Sequence, residues 1–252
     1  MGAYYDTYDY ASYWDSRQYE HESEVIAIKA FLNRIPAISR AIEIGGGFGR
    51  LIPYFSFRAK TVFLSEPSGK LLSLAREKLA ELKNVNFVQS RLETLTKKFK
   101  RNSFDLIVMV RVMHHIPNEK EVFSTINYLC APNGYLIIEF ANKIHFKALI
   151  SNLLKGNLGF IGNRETIDTR SEKSKKAKTI PFVNYHPLTM VKGLEKNGFN
   201  VIDIRSVSNI RSPFIKKHIP KQVLLSLENA LQKPLSYIYF GPSIFILAQK
   251  KG

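Results

Sequence analysis

Residues 41–51 read Ala-Ile-Glu-Ile-Gly-Gly-Gly-Phe-Gly-Arg-Leu. A short apolar strand carrying Glu43 runs into a glycine-dense turn, and Leu51, Ile52 and Phe55 continue with helix-like spacing. Glycine has no Cβ, so the chain turns at positive φ and a ligand can approach the backbone. A turn of this kind at the carboxyl end of a first strand is where open α/β sheets bind nucleotide-like ligands. A dinucleotide fingerprint requires G-x-G-x-x-G/A. Counted from Gly45, its third glycine position is Arg50. The pattern present is instead Glu43-x-Gly45-x-Gly47-x-Gly49.

Working outward, residues 61–65 form an apolar strand closed by Glu66, and 69–82 carry a leucine stripe at helical spacing. Residues 85–89 and 104–110 read as further strands, and the unbroken apolar run of the second suits a parallel strand buried on both faces. Arg111-Val112-Met113-His114-His115-Ile116-Pro117 follows it. Residues 119–130 predict a helix, 131–134 (Ala-Pro-Asn-Gly) a stop and turn, and 134–140 a fifth strand. Beyond a long connection come a helix at 188–197 stopped by Gly198, an alternating strand at 199–205, an amphipathic helix at 220–231 and a last strand at 243–250.

In this order and spacing the segments resemble the class I S-adenosylmethionine (SAM) dependent methyltransferases of the type 11 branch, strongly over 38–141 and more loosely over 185–250. The resemblance implies an α/β fold: a Rossmann-like, seven-stranded, mostly parallel sheet with helices on both faces. Its last strand is antiparallel, inserted between the fifth and sixth, and a helical, basic cap is inserted. We expect one domain over 1–252, with a lid and helix (1–35), a SAM-binding half (36–141), a substrate cap (142–186) and a closing helix and strands (187–252).

The resemblance assigns SAM as cofactor and Glu43, Gly45, Gly46, Gly47, Glu66, Pro67, Arg91, Leu92, Arg111 and Val112 to its site. Glu66 stands where the family's acidic residue accepts both ribose hydroxyls, a task suited to an ionised acceptor. One position departs from the pattern. Where an acidic residue usually meets the adenine amine, the chain reads Ser90-Arg91-Leu92-Glu93, and a guanidinium cannot accept a hydrogen bond. Either Glu93 or a backbone carbonyl takes that role, or Arg91 stacks on the base.

Tyr4, Tyr5, Tyr8, Tyr10, Tyr13, Trp14, Arg17 and Tyr19 crowd the amino terminus. The segment resembles a lid laid over the cofactor, with Tyr13 offering a ring to the sulfonium and Arg17 a fork to the methionine carboxylate. The alternative is plain packing of a helix on the sheet. His114 and His115 are the candidate general bases, with loop ordering as their alternative role. Tyr13, Tyr185, His186 and Glu139 are weaker candidates.

The net charge of +16 is uneven. Residues 142–252 hold 19 Lys and Arg against 6 Asp and Glu, whereas 1–141 are nearly balanced. Much of the excess lies in 142–186, where an amphipathic helix (146–154) precedes a polar segment (170–178) expected to be mobile. Such a cap suits an acidic, phosphorylated or carrier-linked small-molecule acceptor. Peripheral contact with an anionic membrane is a second reading, helped by the apolar–basic mixture at 214–221, and a solvated basic surface a third. Few aromatics interleave the lysines, which argues against nucleic acid. Cys130 alone excludes an internal disulfide, and no metal-ligand spacing is present. With neither a charged-then-apolar leader nor a run of ~20 apolar residues, the expected location is cytoplasmic. The oligomeric state stays open. The rival functions are an NAD(P)-dependent oxidoreductase and a catalytically silent SAM-binding protein.

Overall fold

The computed structural model describes Asp6, residues 10–176 and residues 179–252. Tyr4, Tyr5, Tyr8 and Lys178 lie outside the described residues.

Seven strands form the main sheet: β1 (Ile38–Ile44), β2 (Ala59–Glu66), β3 (Val85–Gln89), β4 (Phe104–Met109), β5 (Cys130–Ala141), β8 (Phe199–Val207) and β9 (Ser243–Lys250). A separate antiparallel pair, β6 (Ile167–Asp168) and β7 (Val183–Asn184), lies in the connection after β5. The sheet order is β3-β2-β1-β4-β5-β9-β8. Neighbours from β3 to β5 are parallel, and β9 runs antiparallel to both β5 and β8, as expected from the sequence.

Side chains alternate across each strand, and here both faces are covered. Leu106 and Val108 of β4, with Phe245 and Leu247 of β9, join a core on the face of α1 (Gln18–Leu32) and α2 (Gly69–Lys78). Ile107 and Met109, with Ile244 and Ile246, enter the opposite core. That core also takes Leu95 of the short α3 (Leu95–Lys98), Phe123 of α4 (Glu119–Leu129) and Met190 of α7 (Pro187–Lys196). Between β5 and α7 stand α5 (Phe146–Leu154) and α6 (Glu172–Lys176); α8 (Pro213–His218) and α9 (Lys221–Ser236) separate β8 from β9.

Three expectations need correction. The glycine turn is followed by two 3-10 turns, at Ile52–Tyr54 and Ser56–Arg58, rather than an α-helix. Pro53 brings no backbone N–H, and the fully buried Ile52 and Phe55 mark burial, not helical continuity. The helix expected over 69–82 ends at Lys78. The turn at 131–134 lies inside β5, absorbed by a register shift opposite Phe104–Leu106, with Asn133 at φ 60°.

The connection over 142–186 leaves and returns at one place. Asn142 bridges Tyr185, Tyr185 N–H donates to Ala141 O (2.8 Å) and Lys143 N–H donates to Tyr185 O (2.9 Å). The ammonium of Lys143, a 2% exposed residue, donates to Asn163 O (2.7 Å), Asn163 Oδ1 (3.1 Å) and Glu165 O (2.7 Å). The inserted chain is thereby tied to the end of β5.

Candidate active site

The glycine turn closes the carboxyl end of β1. Gly45 and Gly46 N–H donate to Ser65 O at the end of β2 (2.8 and 3.1 Å). Gly45 and Gly47 lie at φ +68° and +57°, where a side chain is strained. A Cβ at Gly45 would also stand 2.4 Å from Val112 Cγ2. Val112 therefore roofs the turn from the loop after β4.

Glu66, at the end of β2, accepts from Gly47 N–H (3.0 Å) and Ser68 N–H (2.9 Å). Burial raises its pKa, and those two donors oppose the rise. Glu43, 3% exposed, has an Oε2 with no hydrogen-bond partner among the described residues. Burial pushes its pKa up to about 8, against the attraction of Arg50. Pro67 O accepts from the Gln89 side chain (3.2 Å).

A buried ion cluster lies beside the turn. Glu24 of α1 pairs with Arg50, and its Oε1 receives Arg111 Nε and Nη2 at 2.6 Å each. Burial opposes the charge on Glu24, but Arg111 and Arg50 outweigh it and hold its pKa low. Arg111 has φ 63°, and its N–H donates to Glu139 Oε2 (2.9 Å). Glu139, a weaker candidate base, thus fixes a left-handed residue.

The amino-terminal aromatics pack over this cluster. The Arg50 guanidinium lies 3.6 Å from the Trp14 ring centroid, and Tyr10 contacts Trp14, Tyr13 and Phe48. A Cβ at Gly47 would touch the Tyr10 ring at 3.4 Å, so Tyr10 stands directly over the turn. Arg17 stacks on the outer ring of the group, 4.1 Å from the Tyr13 centroid. Sequence reasoning passed over Glu24 and Arg50. Glu24 had a signal: it shares a helical face with Ala27, Ile28 and Phe31, all fully buried.

In the loop after β3, Arg91 and Glu93 are exposed, whereas Leu92 is buried in the core. Arg91 O already accepts from Thr94 N–H, Thr94 Oγ1 and Ser90 Oγ.

After β4, His114 and His115 stand with ring centroids 4.0 Å apart. His115 Nδ1 donates to Pro181 O (2.9 Å), and the Phe182 ring lies 4.6 Å from that of His114. Burial, then His115 and Arg111, hold the His114 pKa well below its usual value, and burial lowers that of His115. Both rings are neutral near pH 7. Tyr185 donates to Ile116 O and burial raises its pKa, so it is no base at neutral pH. His186 Nδ1 caps α7 by accepting from Leu188 N–H (3.2 Å).

The left-handed glycines, the unpaired Glu43 oxygen and the Glu66 carboxylate fit a ligand with hydroxyls and cationic groups, as SAM has. No group of three or more His, Cys, Asp or Glu arranged to hold a metal occurs among the described residues.

Residues 42–138 match the family described as the methyltransferase domain. Over 102 residues, 40% of this chain and 23% of that protein, the chain is 29% identical to phosphoethanolamine N-methyltransferase 2 of Caenorhabditis elegans. It thus spans under a quarter of that relative's length. Similar folds include a SAM-dependent methyltransferase from Mesorhizobium loti (TM-score 0.59, 16% identity, 90% of this chain and 98% of that one). Another is magnesium protoporphyrin IX methyltransferase from Synechocystis PCC 6803, solved with bound S-adenosylhomocysteine (TM-score 0.56, 18% identity, 92% and 84%). The family match thus covers residues 42–138, and the likeness to the solved methyltransferases is one of fold.

Proposed function

We propose that the chain transfers a methyl group from SAM to an acidic or phosphorylated small molecule, free or carrier-linked. The observation that carries this reading is that the cationic connection over 142–186 brings Pro181 and Phe182 against His114 and His115. The match to a phosphoethanolamine methyltransferase lends the phosphorylated class further support. Of the cations in that connection, Lys143 is spent on carbonyls, Arg170 on Asp168 and Lys175 on Glu172. Lys147, Lys155, Arg164, Lys173 and Lys176 are exposed and suited to attracting an anion.

SAM supplies an activated methyl group, so the protein's task is alignment and exclusion of water. In this reading Glu66 takes the ribose hydroxyls, Gly45, Gly46 and Gly47 admit the methionine part, and Tyr10, Tyr13 and Trp14 close over it. Arg111 and Val112 border the site, Arg17 or the Glu24-paired arginines face the carboxylate, and Pro67, Arg91 and Leu92 flank the adenosine. His114 serves as the base toward a hydroxyl acceptor, its basicity weakened by burial, with His115 locked to Pro181 beside it.

A methyl-release assay over a metabolite panel tests the reading. Turnover concentrated in acidic and phosphorylated compounds is expected, with KM rising in salt and in Lys173→Glu/Lys176→Glu, because exposed charges act over a Debye length of ~10 Å at 0.1 M. His114→Ala should cost about 10²–10⁴ in kcat. A neutral preferred acceptor, or a KM unmoved by salt and by the charge reversal, contradicts it. S-adenosylhomocysteine binding without turnover of any acceptor would favour the silent SAM-binding protein.

A further inference from the structure

The helix α5 is built inside out. Phe146, Ile150, Leu153 and Leu154 fall at i, i+4, i+7 and i+8, the stripe that a surface helix ordinarily turns to the core. Here they are 50%, 41%, 58% and 82% exposed, and no residue of α5 is buried. The next turns extend the row with Leu158 (72%) and Ile161 (59%). Phe146 stacks on Phe240 at 4.8 Å and donates its N–H to Phe240 O, and the exposed Tyr237 and Ile238 precede Phe240 by three and two residues.

The charge along the segments that build this face is of one sign. Residues 142–164 and 229–252 contain no Asp or Glu. Exposed Lys147, Lys155 and Arg164 flank the apolar row, and Arg211 lies close enough to His145, the cap of α5, to lower its pKa after burial has done so. Contiguous exposed apolar residues mark a contact surface. Apolar side chains on one helical face, bordered chiefly by cations, suit the boundary between headgroups and acyl chains of an anionic bilayer. A second copy would set these cations against their equals across a two-fold axis, which disfavours self-association.

We infer that α5 and the turn after it, with the end of α9, form a peripheral docking surface for anionic lipid membranes. No helix of the described residues is long and apolar enough to cross a membrane, so the contact is interfacial. Because α5 follows β5 by a few residues and shares its connection with Phe182, docking sets the bilayer beside the His114 end of the sheet. Acceptors presented at a lipid surface would reach the site without leaving it.

The test is flotation of the full chain with vesicles of phosphatidylcholine alone or with phosphatidylglycerol. The chain should float with the anionic vesicles, stay behind with the neutral ones and lose the association in high salt. Leu153→Glu/Leu154→Glu and, separately, Lys147→Glu/Lys155→Glu should each weaken it by about tenfold or more, as both apolar burial and charge contribute. Both variants should bind S-adenosylhomocysteine like the wild type by calorimetry, which shows that they fold. Flotation that both variants retain overturns the proposal. So does a wild-type chain that stays behind, whether as a monomer or as a dimer that Leu153→Glu splits, for the face then belongs to a protein contact.

Discussion

Glu66 holds the turn through Gly47 and Ser68 and is also the candidate acceptor for the ribose. Glu66→Ala is expected to weaken SAM binding by ~1.5–3 kcal/mol, the range for losing hydrogen bonds to a charged group. Glu66→Gln, which keeps one oxygen, should lose less. An unchanged Kd by calorimetry would remove Glu66 from the site. Glu43 yields a pH signature. Its folded pKa of about 8 stands above the ordinary carboxylate value of 4.5, so the folded state holds a proton that the unfolded chain releases. Its contribution is fully present at low pH and is lost as the pH rises toward 8. The stability of Glu43→Gln relative to wild type should therefore grow between about pH 5 and 8; a constant difference in thermal melts across that window contradicts the raised pKa. At this scale the sequence was legible where backbone chemistry forces identity. Gly45 and Gly47 sit at positive φ, as their spacing implied. Glu24 and Arg50 were not read, because their pairing joins α1 to the glycine turn across 26 residues, which no local pattern encodes.

Among the elements, the inserted connection hangs on Lys143. Its partners Asn163 and Glu165 are exposed, so water can replace the ammonium if it is removed. Lys143→Met should loosen the insertion locally, with amide exchange over 157–168 faster by about tenfold, equivalent to ~1.4 kcal/mol, and β4 and β5 unchanged. Acceleration throughout the sheet would show that Lys143 supports the whole fold instead. Strands were the most readable elements, since β9 and β5 combine β-branched runs with glycine and proline punctuation. The helical spacing of Leu51, Ile52 and Phe55 misled, because the same three residues bury equally well in 3-10 turns around Pro53. The spacing in α5 was read correctly as amphipathic, yet which way its stripe faces depends on the connection's path, fixed by Lys143 and the Asn142–Tyr185 bridge.

For the whole molecule, the balanced half before residue 141 builds the glycine turn, Glu66 and the loop after β4, while the cationic half builds the connection over 142–186 and the exposed face of α5. The charge of that connection was plain in composition, but its division into loop anchors, ion pairs and exposed lysines was not, because each pairing is made by the fold. Cofactor binding and acceptor binding should therefore separate: Lys173→Glu/Lys176→Glu is expected to leave SAM affinity within about twofold, since exposed charges outside the crevice act only through screened attraction. A larger loss would place the cap over the cofactor. The most direct measurement is titration calorimetry of the purified chain with SAM, S-adenosylhomocysteine and NAD, alongside Gly47→Val, whose branched side chain resists the φ of +57° and crowds the turn. One-to-one binding of SAM and S-adenosylhomocysteine, lost in a folded Gly47→Val and absent for NAD, is the predicted result. Binding of NAD without either sulfur ligand, or a folded Gly47→Val that binds SAM as tightly as wild type, would contradict it.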